Sequence, residues 1–188
     1  MKKREWESEP DLEVFESHGY RCVISRNKSL KSLNGYVGIP ATHPLFGTET
    51  TEHNECLALL KARRLNSPPM EHEGINVMLG MLVGSDDVLS TPSGAFIVHG
   101  GLSYSNMKCP PDFQDDNLWY FGFDCGHAWD FQPGMAELLF RLSDPLYMEE
   151  MEESAGQVYR NMDYVRDEVM SLADQLHSLT TALLPEDY

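Results

Sequence analysis

Long apolar runs are missing from this 188-residue chain. The best candidate, Ile75 to Val83 (INVMLGMLV), falls well short of the roughly 20 residues that a membrane helix needs, so no membrane span is expected. The N-terminal MKKREWESEP lacks the apolar stretch of a secretory signal, which sets the expectation of a soluble, cytoplasmic protein. Cysteines are few, four in all, and Cys22, Cys56, Cys109 and Cys125 are irregularly spaced with no C-x-x-C. That pattern argues against a disulfide framework or a zinc ribbon and predicts reduced thiols. Basic residues are scarce as well, 14 Lys and Arg against 30 Asp and Glu, for a formal charge of −16. Nucleic-acid polymers are bound by replacing counterions with Lys and Arg, so that class of partner is disfavoured. Seven of the 14 basic residues fall in the first 31 positions. This leaves open a compact anion near Arg21, Arg26, Lys28 and Lys31, beside the alternative of ordinary solvated charge.

What is present is a globular composition, 41% hydrophobic and 10% aromatic. One domain, 1–188, with a sizeable core is expected. Residues 1–17 read as a polar lead-in. Gly19 to Ser25 reads as a strand, and Tyr36 to Ile39 as a second one stopped by Pro40, with Asn34-Gly35 supplying hairpin-turn chemistry in the link between them. Residues 48–66 match a capped helix with basic residues in its last turn. A Met-rich segment follows that suits either a helix or a strand, and Ser90 to Gly94 (STPSG) reads as a turn cluster.

Ala95 to Ser103 (AFIVHGGLS) alternates in the manner of a strand, with Phe96, Val98 and Leu102 on one face and His99 on the other. Leu118 to Asp124 has the strongest strand pattern. Trp119, Phe121 and Phe123 share one face, and Tyr120, Gly122 and Asp124 the other. A helix beginning at Pro133 stops before Asp144-Pro145. At the end of the chain Val158, Met162, Val165, Val169, Leu172, Leu176 and Leu179 make one apolar stripe on a helix of about six turns. Such a stripe covers a sheet, and three heptads of it also suit a homodimer contact.

Chemistry-bearing residues concentrate in WYFGFDCGHAWD (119–130). Asp124, His127 and Asp130 lie three apart, a spacing that puts them on one side of a helical turn. With His43 and His99 they form a pool of oxygen and imidazole ligands suited to a divalent metal. The same residues also suit metal-free acid–base chemistry, or helix capping and hydrogen-bonded core histidines. Alternation turns Cys125 toward the aromatic face, which favours a buried thiol over a nucleophile. Gly100 and Gly101 let a ligand approach the main chain, and Tyr36, Tyr104, Tyr120, Trp119 and Trp129 offer rings for stacking or for a core.

The ordered set NGYVGIPATHPLFG, VHGGLSYS, LWYFGFDCGHAWD and YRNMDYVRDEVMSLADQL resembles a widespread family of small, mostly uncharacterised bacteriophage proteins with GYVGxPxxHP, VHGGLSY and FGFDCxHxxD motifs. His43, His99, Gly100, Gly101, Asp124, His127, Asp130, Tyr164 and Glu168 occupy motif positions. The resemblance raises the reactive-site reading without supplying a reaction, and it implies that 49–92 is an insertion, because members join the two flanking motifs by a much shorter connection.

The expected fold is α+β: an antiparallel sheet, with strands near 20–25, 35–39, 95–103 and 117–124, packed on a long C-terminal helix, with a helical insertion. The expected function is a phage accessory, counter-defence hydrolase, metal-assisted, acting on a small nucleotide or phosphate-bearing signal molecule in the host cytoplasm. Asp124, His99 and His127 are the expected catalytic residues, with His43, His99, His127 and Asp130 as metal ligands. Gly100, Gly101, Tyr104, Tyr36 and Tyr120 are expected to contact the ligand. The alternative is a non-catalytic sponge that sequesters such a nucleotide.

Overall fold

The computed structural model describes residues 4–64, 88–110, 113–114, 117–142 and 156–183. After a 3-10 turn at Glu5–Glu7, the chain forms β1 (Leu12–Ser17), β2 (Tyr20–Arg26), β3 (Leu33–Pro40) and α1 (Glu55–Arg64). A 3-10 turn at Val88–Ser90 leads into a short helix, α2 (Pro92–Ala95), and then β4 (Tyr104–Asn106), β5 (Lys108–Cys109), β6 (Phe113–Gln114) and β7 (Leu118–Asp124). Two helices follow, α3 (Pro133–Leu142) and α4 (Met162–Leu183). The main sheet has the order β1-β2-β3-β7-β4 and is antiparallel throughout, while β5 and β6 form a separate pair. This is the expected α+β architecture, a sheet packed on the C-terminal helix.

Alternation along the central strands makes two buried faces. Cys22, Ile24, Leu33, Val37, Ile39, Phe121, Phe123 and Cys125 point toward α4 and join its Val165, Val169, Leu172 and Leu176 in the main core. Val23, Tyr36, Tyr120 and Cys109 form a second cluster on the opposite face. Gly35 lets α4 approach β3: a Cβ there would lie 2.5 Å from Val169 Cγ2 and 2.6 Å from Phe123 Cζ. From Met162 to Leu179 the apolar stripe of α4 is buried on its own sheet, so that face is already covered within one chain. Val158 is the exception. It is exposed, precedes the helix and makes an isolated bridge with Asp130.

Other expectations need correction. The polar lead-in contains β1, an edge strand joined to β2 by a two-residue turn in which His18 and Gly19 both have positive φ, the geometry of a tight hairpin turn. Asn34-Gly35 lies inside β3 and is not a turn. The β2–β3 link is residues 27–32, organised by Asn27, whose Oδ1 accepts the N–H groups of Ser29 and Leu30. Within 48–66 the helix starts only at Glu55, and Asn54 Oδ1 caps it by accepting the Cys56 N–H. Ser90 to Gly94 includes the first residues of α2, with Thr91 as the N-cap.

The segment 95–103 is not a strand. Phe96, Val98 and Leu102 are buried, as their alternation predicts, but Gly100 and Gly101 have φ of 67° and 91° and break the extended path. Strand β7 reaches its backbone only at the end, where the Ser103 N–H donates to the Gly122 carbonyl. Around His99, side chains of α4 take that part: Gln175 accepts the Ile97 N–H and donates to the Ile97 carbonyl, and Glu168 Oε2 accepts the His99 N–H at 2.7 Å.

At the ends of the 49–92 segment, Ser93 N–H donates to the Thr50 carbonyl and Asn54 N–H to the Ser90 carbonyl, which brings its two ends together. The Met-rich run and the Asp144-Pro145 stop lie outside the described residues. Among the described residues no helix is long and apolar enough to cross a membrane.

Candidate metal and acid–base centre

Asp130 has no solvent exposure and is the hub of the site. It sits at the end of the turn that follows β7, where its N–H donates to the His127 carbonyl at 2.9 Å. The chain is pinned there, because Val158 N–H donates to the Trp129 carbonyl and Phe131 N–H to the Val158 carbonyl. Trp6 of the N-terminal 3-10 turn packs on Phe131 and Tyr159, the residues next to Asp130 and Arg160 in sequence. Packing of the N-terminal segment thus supports both members of the ion pair between buried Asp130 and partly exposed Arg160.

Both carboxylate oxygens of Asp130 are occupied. Oδ1 accepts from Arg160 Nε at 3.0 Å. Oδ2 lies 2.7 Å from His99 Nε2 and 3.2 Å from His127 Nδ1, and it accepts the His127 backbone N–H at 3.2 Å. Burial disfavours the charge, but the hydrogen bonds from His99 and Arg160 outweigh it and hold the Asp130 carboxyl below its ordinary range.

A buried carboxylate needs donors, so His99 carries its proton on Nε2 and His127 carries one on Nδ1. His99 Nδ1 then accepts from the Tyr164 hydroxyl at 3.0 Å. Arg160 lies over the Tyr164 ring, 4.8 Å from its centroid. Of the ring nitrogens and carboxylate oxygens of this centre, His127 Nε2 alone has no hydrogen-bond partner among the described residues. The His127 ring stacks on Trp129, 5.0 Å between centroids and 5° from parallel, and its other neighbour is the His99 ring at 5.3 Å.

His99, His127 and Asp130 each offer one ligand atom, and those atoms lie within 4.8 Å of one another. The group could hold a metal ion. Two imidazoles and one carboxylate suit a first-row divalent ion, and Tyr164 and Arg160 supply the outer hydrogen bonds that orient such ligands.

No protein-family model matches the chain, and no curated protein or solved structure matches it either.

Other expected site residues are placed elsewhere. His43 Nδ1 accepts the Leu45 N–H and its Nε2 donates to the Leu176 carbonyl. Leu176 is 12 residues along α4 from Tyr164, about 18 Å at the helical rise. His43 is thus a hydrogen-bonded core histidine, and burial holds its pKa below the ordinary value. Asp124 accepts from Ser103 Oγ and the Gly126 N–H and bonds neither imidazole. The expectation that Asp124 joins His99 in one ligand pool used strand alternation through 95–103, which the two glycines interrupt.

Tyr36 and Tyr120 are buried at 3% and 0% exposure in the second cluster, with Tyr104 packed against it. They form core rather than a stacking wall. Gly101 N–H is taken by the Val98 carbonyl, so consecutive N–H groups are not available from the glycine pair. Arg26 is engaged by Glu9, Asp11, Tyr159 and the Lys31 carbonyl, and Lys31 by Glu137, so neither is available to an anion.

Cys125 is buried in the main core, and desolvation together with the nearby Asp130 and Asp124 carboxylates pushes its thiol above the ordinary value. That is the opposite of an activated nucleophile. The sequence reading missed Arg160. Its signal was the polar series Arg160, Tyr164, Glu168, spaced four apart along the flank of the apolar stripe.

Proposed function

We propose that the chain is a metal-assisted hydrolase acting on a small nucleotide or similar phosphate-bearing molecule, with His99, His127 and Asp130 as its centre. One observation carries this reading: two imidazole nitrogens and a fully buried carboxylate oxygen converge within 4.8 Å. A divalent ion bound there would acidify a water and polarise a phosphoryl oxygen. With only three protein ligands, coordination positions remain for both.

The chain's own residues do the rest. Arg160 neutralises Asp130 and fixes its orientation through Oδ1, leaving Oδ2 toward the imidazoles. Tyr164 orients His99, and its hydroxyl can accept as well as donate, so it tolerates either tautomer of that ring. Trp129 holds the His127 plane. Glu168 and Gln175 fix the loop that presents His99. The biological setting we propose is the phage accessory role that the motif resemblance implies.

A second reading is favoured by the closed hydrogen-bond network. Apart from His127 Nε2, the ring nitrogens and carboxylate oxygens of the centre already have partners, which suits a preformed binding site that sequesters its ligand unchanged. Incubation of the purified protein with nucleoside mono-, di- and triphosphates, with Mn2+ or Zn2+ and then with chelator, separates the two. A metal-dependent change in ligand mass that is lost in His127→Gln supports hydrolysis. Bound ligand released intact on denaturation supports sequestration.

A further inference from the structure

Trp129 is 55% exposed although it adjoins a fully buried aspartate. One face of its indole lies on His127, nearly parallel at 5.0 Å, which leaves the opposite face to solvent. The ring is also preorganised. Its backbone carbonyl is tied to Val158, and the next residue is Asp130 with both oxygens engaged. An exposed, immobilised indole stacked on the imidazole whose Nε2 is free makes a platform for a planar heteroaromatic ring.

The charges around this platform say which part of a nucleotide it would hold. The cation of the centre, Arg160, is engaged by Asp130 and the Tyr164 ring. Two further carboxylates lie on the segments that carry the centre, Glu168 bonded to the His99 N–H and Asp124 to the Gly126 N–H. With a chain charge of −16 the field also repels anions. A phosphate gains nothing here until a divalent ion is present.

Resting on the metal-centre reading above, we infer that the site recognises its ligand base first: a nucleobase stacks on the outer face of Trp129, and the phosphate contributes only through the metal. Neutral nucleosides are therefore ligands in their own right. In chelator a nucleoside 5′-monophosphate binds no more tightly than its nucleoside, and added Mn2+ reverses that order.

The test is calorimetric titration of the intact protein with adenosine, guanosine, cytidine and uridine, and with AMP, GMP, CMP and UMP, in chelator and then in Mn2+. Trp129→Ala is expected to weaken nucleoside binding on the order of five- to hundredfold, the range set by stacking one base on an aromatic ring. Trp129→Phe keeps a smaller ring and is expected to lose less. Metal uptake by both variants, measured on the same samples, shows that the folded centre survives. The inference is overturned if none of the four nucleosides binds, if Trp129→Ala binds them as well as the unaltered protein, if the two variants lose equally, or if the monophosphate is tighter in chelator. Nucleoside binding with no metal uptake would leave the platform standing and remove the metal centre, so the two failures are distinguishable.

Discussion

Gly100→Ala is the substitution that connects backbone conformation to the site most sharply. Gly100 has φ of +67°, and a Cβ built on it would lie 2.0 Å from His127 Cε1 and 2.2 Å from His127 Nε2. The His127 side chain is 24% exposed and can swing outward, so the clash is relieved by loss of its bond to Asp130 rather than by unfolding. The left-handed backbone costs about 1 kcal/mol for a residue with a Cβ, and the lost charge-assisted hydrogen bond about 1.5 kcal/mol more. Together they predict a destabilisation of about 2–3 kcal/mol, or about 5–10 °C in Tm for a chain of this size. One of the three proposed metal ligands is lost at the same time, so metal affinity should fall ~100-fold or more. Gly19→Ala is the control. Its φ is +76° and nothing lies within 4 Å of the added Cβ. It should cost only the backbone strain, about 1 kcal/mol, and leave metal affinity unchanged. Thermal melts and metal titrations on both variants make the comparison. Gly100→Ala with undiminished metal affinity would refute the placement of His127 as a ligand. An equal loss of metal affinity in Gly19→Ala would refute the claim that the effect is local.

Cys125→Ala should lower stability by about 1 kcal/mol, as expected for a small buried side chain, and leave metal and nucleotide handling intact; abolished activity at an unchanged Tm would make the thiol a participant. Leu172→Ala, beneath the sheet on α4, should cost about 2–5 kcal/mol in a denaturant titration, and a cost under about 1 kcal/mol would contradict the core assignment. His43 has a folded-state pKa below its unfolded one, so its contribution is full above the unfolded value, about 6.5, and is lost as pH falls toward the folded value. His43→Gln should therefore flatten the loss of stability just below that pH, and an unchanged pH profile would count against the buried neutral histidine.

The period of α4 was readable because its stripe at 162–179 is set by burial against one sheet, and the same holds for β7, whose alternation placed Phe121 and Cys125 correctly. The segment 95–103 misled for a physical reason. Its apolar residues are buried at strand-like spacing, but the groups that bond the backbone of Ile97 and His99 are Gln175 and Glu168 on a helix about 70 residues away, which no local pattern reveals. Sequence spacing brought His127 to Asp130. It could not bring His99 to them, since that juxtaposition is made by the docking of the glycine loop on α4. His43 shows the converse, a motif histidine whose ring nitrogens are both engaged in holding the end of β3 to α4.

In the proposed function, His99, His127 and Asp130 bind one divalent ion. Equilibrating the purified protein with Zn2+ or Mn2+, removing free ion and measuring metal per chain tests it most directly. One tightly held ion per chain is expected, with its loss in both His99→Gln and His127→Gln while circular dichroism reports a retained fold. No bound ion in the unaltered protein, or the same stoichiometry and affinity in both variants, would contradict it.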